Sequence, residues 1–240
     1  MLQGMSHSRD APRHLAICSS EFPKLDHASS QRSHNHCINK LEHTKKEPNM
    51  GNSGSSSLPA LEAVSSCDTA RFMGTWFVIG VKPTIFEKTC TNAVERYTWL
   101  QDSKRNDIDI DFQYNKDTPI TSPLKSLPQK GWIQGKNKAN SGEWKVSPLP
   151  PIKMPYLILE VDDNKYDWCV IGYPNRAYCW ILCRTPQMEE STYKMLTDRL
   201  QEKHQYDLQG LRKVDQKWTR EERTKRGLEK EIPDSMLTTK

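Results

Sequence analysis

Two short runs dense in aromatic and branched side chains, 166–172 and 177–184, face each other across a Pro174-Asn175 turn, the pattern of an antiparallel hairpin. Strict alternation puts Tyr178, Trp180 and Leu182 on one side of the second run with Arg184, and Cys179, Ile181 and Cys183 on the other. A strand that is apolar on both faces has to be covered twice. Residues 187–204 supply one cover, because Tyr193, Leu196 and Leu200 recur at helical spacing, Glu189 and Glu190 open the first turn, and Lys203 and His204 close the last. The other cover must be sheet, since the chain upstream offers six further strand-like runs and no second helix. The expected architecture is therefore all-β: an eight-stranded antiparallel up-and-down barrel with one helix packed outside.

Composition narrows the function. The chain has 240 residues and a net charge of +5, but its basic and acidic residues are interspersed, without the basic stripe that nucleic acid requires. No apolar run is long enough to span a bilayer, and the longest near the N-terminus, Leu15-Ala16-Ile17-Cys18, falls short of a signal-peptide core. A cytoplasmic or peripheral-membrane protein is expected, with thiols rather than disulfides as the default state of the seven cysteines. Cys169 and Cys179 are equidistant from Pro174, so direct register would place them opposite each other on the helix-covered face. Every histidine except His204 precedes Cys67, which removes the partner for a Ser-His or Cys-His nucleophile inside the barrel.

Gly74-Thr75-Trp76 opens the first strand, and Tyr178-x-Trp180-Ile181-x-x-Arg184-Thr185-Pro186 closes the last ahead of an acidic-started helix. With Phe86-Glu87-Lys88, Asn92-Ala93-Val94 and Ile171-Gly172-x-Pro174-x-Arg176 in the same order, the chain resembles the lipocalins over roughly Cys67 to Val214. The closest likeness is to the subgroup of apolipoprotein D, the bacterial lipocalins and the plant temperature-induced lipocalins. The resemblance implies that Trp76 and Arg184 stack at the closed end of the barrel as a structural pair, and that the interior carries a small lipophilic ligand. It leaves fatty acid, lysophospholipid, sterol and pigment equally open. A lipocalin-fold enzyme of the isomerase or de-epoxidase type stands as the alternative, with Glu95, Tyr97 and Tyr114 as acids and no pair spaced for catalysis.

Strand parity together with the likeness nominates Val78, Val94, Tyr97, Ile110, Phe112, Trp132, Trp144, Leu157, Leu159, Trp168, Tyr178 and Trp180 as the lining, with no catalytic residue, cofactor or metal. Asp107, Asp109 and Asp111 alternate on one solvated face and lack the glycine and distal glutamate of a calcium loop. His34-Asn35-His36-Cys37 has ligand chemistry but no scaffold.

Around the barrel (67–214), residues 1–66 read as a disordered extension and 215–240 as a charged, fraying tail in which 218–232 forms a marginal surface helix. The extension leaves plastid or mitochondrial targeting open, although Asp10, Glu21 and Asp26 depart from the acid-poor composition of transit peptides. Met50-Gly51-Asn52-Ser53-Gly54-Ser55 matches the myristoylation pattern and would operate only in a form starting at Met50. Residues 116–129 read as a proline-interrupted loop, 147–155 as a proline-rich loop at the mouth that exposes Leu149, Ile152 and Met154 to a membrane surface, and Ile85 and Phe86 as a lid.

Overall fold

The computed structural model describes residues 58–238 except Phe86; Gly51, the histidine-rich stretch and the Phe86 half of the expected lid lie outside the described residues. A four-residue helix, α1 (Thr69–Phe72), enters a run of eight strands: β1 (Gly74–Lys82), β2 (Cys90–Trp99), β3 (Ile108–Lys116), β4 (Leu124–Ile133), β5 (Glu143–Leu149), β6 (Ile152–Val161), β7 (Trp168–Gly172) and β8 (Cys179–Cys183). Helix α2 (Glu190–Glu202) follows, then β9 (Arg212–Lys213) and a short helix α3 (Arg220–Lys225). Each of the eight strands pairs antiparallel with its sequence neighbours, and β1 pairs with both β2 and β8, so the sheet closes into an eight-stranded barrel.

Alternation along the strands builds three apolar clusters. One fills the barrel; one lies between the outer faces of β6 to β8 and α2, with Leu157, Leu159, Val170, Cys179 and Ile181 against Leu196 and Leu200. The third joins Phe77, Ile79, Val94 and Cys183 on the outside to Trp218, Leu228 and Ile232 of the C-terminal segment.

That third cluster corrects the fraying tail. Trp218 stands edge-on to Phe77 at 5.8 Å, and the Arg226 guanidinium lies 4.8 Å from the Trp218 ring while donating to the Asn92 carbonyl at 2.8 Å. Asn92, at a positive φ of 44°, bonds the Pro119 and Lys217 carbonyls through its amide and accepts from the Lys217 N–H. Glu222 and Arg226, four apart in the chain, pair at 3.0 Å, with the arginine side chain wholly buried.

Disorder is likewise too broad for 58–66, since Val64 donates to the Ile158 carbonyl at 2.8 Å and Pro59 accepts from Arg176. Neither proline-rich stretch is a loop throughout. β4 runs through Pro128, where β5 is not yet paired and a missing donor is tolerated, because β5 joins β4 only from Lys130 onward. β5 and β6 reduce the second stretch to a tight turn at 150–151, with Leu149 and Ile152 as register partners.

Candidate functional site

The barrel interior is closed at one end by aromatic rings packed tilted and edge-on. Phe72, delivered by α1 after an Asp68 cap, packs at 5.1 Å from Trp76, 5.4 Å from Tyr97 and 5.0 Å from Trp144. Beneath them the Arg184 guanidinium sits 3.7 Å over the Trp76 ring and donates to the carbonyls of Thr75, Arg71, Phe72 and Tyr166. Trp76 donates its own indole N–H to Phe72 O at 2.8 Å.

Inside this plug lies a polar cluster. Inner positions of β2 go to Ala93, Glu95 and Tyr97; the Tyr97 hydroxyl donates to Glu95 Oε2 and lies 2.6 Å from the Tyr156 hydroxyl of β6. Burial among aromatic rings raises Glu95 to about 7, against the lowering effect of the Tyr97 hydrogen bond, and pushes both phenols well above their ordinary range. Trp144 stacks on Tyr156 at 5.7 Å, holding that ring flat against the wall.

The opposite end is the mouth. Its β1–β2 connection is fastened to β8, because Glu87 accepts from the Trp180 indole N–H at 2.8 Å through one oxygen and from Thr84 through the other. Four of the five large apolar side chains that stand exposed among the described residues sit on mouth connections: Ile85, Ile120, Leu149 and Ile152. No helix among the described residues is long and apolar enough to cross a membrane.

Of the nominated lining, Val78, Tyr97, Ile110, Phe112, Trp144 and Trp180 point inward with the barrel cluster. Val94 does not; it faces Phe77 and Trp218 outside, because a register shift between Thr91 and Val94 hands the inner sites to Ala93 and Glu95. Leu157, Leu159 and Trp168 pack outside beneath α2, while Tyr156, Ile158, Cys169 and Ile171 take the interior. The apolar run 156–159 is buried on both faces, which removes the alternation that would have fixed its parity. Trp132 is also on the outer side, its indole donating to Arg105 O at 2.7 Å with the Lys153 ammonium 3.7 Å from its ring. Tyr178 precedes β8, packs against Tyr173 at 5.4 Å and is not part of the barrel cluster.

Register overturns the cysteine pairing too: Cys179 opposes Gly172, Cys169 opposes Leu182, and the two thiols point to opposite faces. Tyr156 was missed altogether, although its place beside Trp144 in the β5–β6 pairing makes it a partner for an inward Tyr97.

The profile of the lipocalin-like domain family matches residues 67–216, more than half of the chain. The chain belongs to the lipocalin family. Temperature-induced lipocalin-1 of Arabidopsis thaliana is 30% identical over 169 residues, covering 65% of this chain and 83% of that protein. Outer membrane lipoprotein Blc of Vibrio cholerae is 25% identical over 130 residues, covering 54% of this chain and 72% of that protein. Among solved structures, insecticyanin from the tobacco hornworm Manduca sexta aligns with a TM-score of 0.51 at 14% identity, over 69% of this chain and 88% of its own, a likeness of fold. In this lipocalin the inner wall is apolar apart from the Glu95 cluster and the polar groups near the mouth, and no group of metal-binding side chains occurs among the described residues.

Proposed function

We propose that this lipocalin binds a small lipophile in the barrel and exchanges it at a membrane surface through the mouth. The observation that carries the reading is the combination of an aromatic interior with Ile85, Ile120, Leu149 and Ile152 exposed together on the connections around its opening. Apolar burial of the ligand supplies affinity at roughly 25 cal/mol per Å², less the cost of ordering it. The relative named as an outer membrane lipoprotein supports work at a lipid surface. An acyl chain on Gly51, in a form starting at Met50, would add a second contact, since a single myristoyl chain binds bilayers with K of only about 10⁴ M⁻¹.

The test has two arms. Displacement of the uncharged fluorophore N-phenyl-1-naphthylamine by long-chain lipids should be saturable, and a flat response across lipid classes would overturn the carrier reading. In liposome flotation, serine at Ile85, Ile120, Leu149 and Ile152 should move protein to the soluble fraction while displacement persists; unchanged flotation would remove the membrane from the proposal.

A further inference from the structure

Glu95 is a carboxyl group placed where a simple lipid carrier needs only hydrocarbon. Its Oε2 is taken by Tyr97, and because the Tyr97 proton is spent there, the 2.6 Å contact between the phenols requires Tyr156 to donate to Tyr97. Oε1 has no hydrogen-bond partner among the described residues, yet it is not sealed off as a buried orphan is. Glu95 keeps 7% of its surface accessible and Tyr156 keeps 8%, while Trp76, Trp144, Ile158 and Ile171 around them keep none. The cluster therefore keeps an accessibility that the rings and branched side chains around it lack.

Nothing nearby neutralises it. Trp76 is the register partner of Glu95 on β1, and the Arg184 cation stacked on that ring commits its N–H groups to main-chain carbonyls. Glu87 of the mouth adds like charge, and Cys169 of β7, with its thiol held neutral by burial, adds none. Raised to about 7, Glu95 carries its proton below neutrality and loses it above. A ligand hydroxyl fits both states, because it accepts from the acid and donates to the carboxylate. A ligand carboxylate fits only the acid and is repelled by the ionised form.

We propose that Glu95, Tyr97 and Tyr156 form a head-group subsite at the closed end of the barrel, which receives the hydroxyl of an uncharged lipophile inserted head-first and discriminates against free carboxylates. The subsite rests on the carrier reading but fails separately from it.

The full chain, loaded with N-phenyl-1-naphthylamine, is titrated with dodecan-1-ol and with dodecanoate at about pH 6 and about pH 8.5, on either side of the Glu95 value. Dodecanol should displace the probe with affinity changed less than about twofold, while dodecanoate weakens by about tenfold or more at the higher pH. Glu95→Gln should abolish the pH effect and bring the two ligands within about threefold of each other, whereas Tyr156→Phe should weaken dodecanol and keep the pH dependence of dodecanoate. Equal binding of both ligands by the wild type at the higher pH, or an undiminished difference in Glu95→Gln, overturns the subsite and leaves the carrier standing. If Glu95→Gln does not fold, the wild-type pH comparison decides alone. Failure of both ligands to displace the probe at either pH overturns the carrier and the subsite with it.

Discussion

Arg184 spends its guanidinium on four main-chain carbonyls and one indole face, so its loss removes charge-assisted hydrogen bonds and leaves carbonyls unmet at the closed end. Arg184→Ala should lower stability by about 2–4 kcal/mol in urea unfolding, and Arg184→Lys should recover less than half of that, because an ammonium lacks the planar fork. Ligand affinity in the folded variant should hold, since the pair lies behind the Phe72 plug. At the other end of the hairpin, a Cβ on Gly172 would meet Leu159 Cδ1 at 2.4 Å and the Tyr206 hydroxyl at 2.7 Å. Gly172→Ala should therefore destabilise by about 1–3 kcal/mol through overpacking against Leu159 and Tyr206, read as a fall in melting temperature. Both positions stand in motifs visible in the chain, but only the resemblance attached a role to Arg184, and Tyr206 is brought to Gly172 by the return of the chain after α2.

Among the elements, the C-terminal segment departs furthest from its sequence signature. Its charges are dense, and Trp218, Leu228 and Ile232, ten and four residues apart, form a stripe too sparse among them to announce a buried face. Contact with β1 and β2 creates that face. Trp218→Ala should cost about 3–5 kcal/mol, and a chain ending at Asp215 should expose Phe77, Ile79 and Val94, melt lower and take up more hydrophobic dye than the full chain does. An unchanged melting temperature in the truncated chain would show that the segment adds nothing to the fold. Strand parity was legible where one face is wet, and in β8, whose outer face the following helix marks. The half-polar β3 put Ile108, Ile110 and Phe112 inside as alternation requires, whereas the register shifts in β2 and in β6 moved Val94, Leu157 and Leu159 outward.

For the whole molecule, one buried carboxyl links the site to stability. Glu95 ordinarily titrates near 4.5 and is raised to about 7 by burial in the folded barrel, so the native state binds more protons than the unfolded chain between those values. Its contribution is full below the lower value and is lost as pH rises through about 7, on the order of 3 kcal/mol in all. Chemical denaturation at about pH 5 and pH 8.5 should show wild type losing stability to the alkaline side and Glu95→Gln losing less; parallel curves would mean that Glu95 is solvated. The sequence by itself determined the barrel and its outer helix, because hydrophobic period and hairpin turns are local properties of the chain, while its resemblance to a family supplied the closed-end pair. Tertiary structure alone decided which side of β6 faces inward, that the C-terminal segment seals the outer wall, and that Glu95, Tyr97 and Tyr156 meet in an apolar interior. Those outcomes depend on bulges, register and desolvation, which arise only when strands distant in the chain are brought into contact.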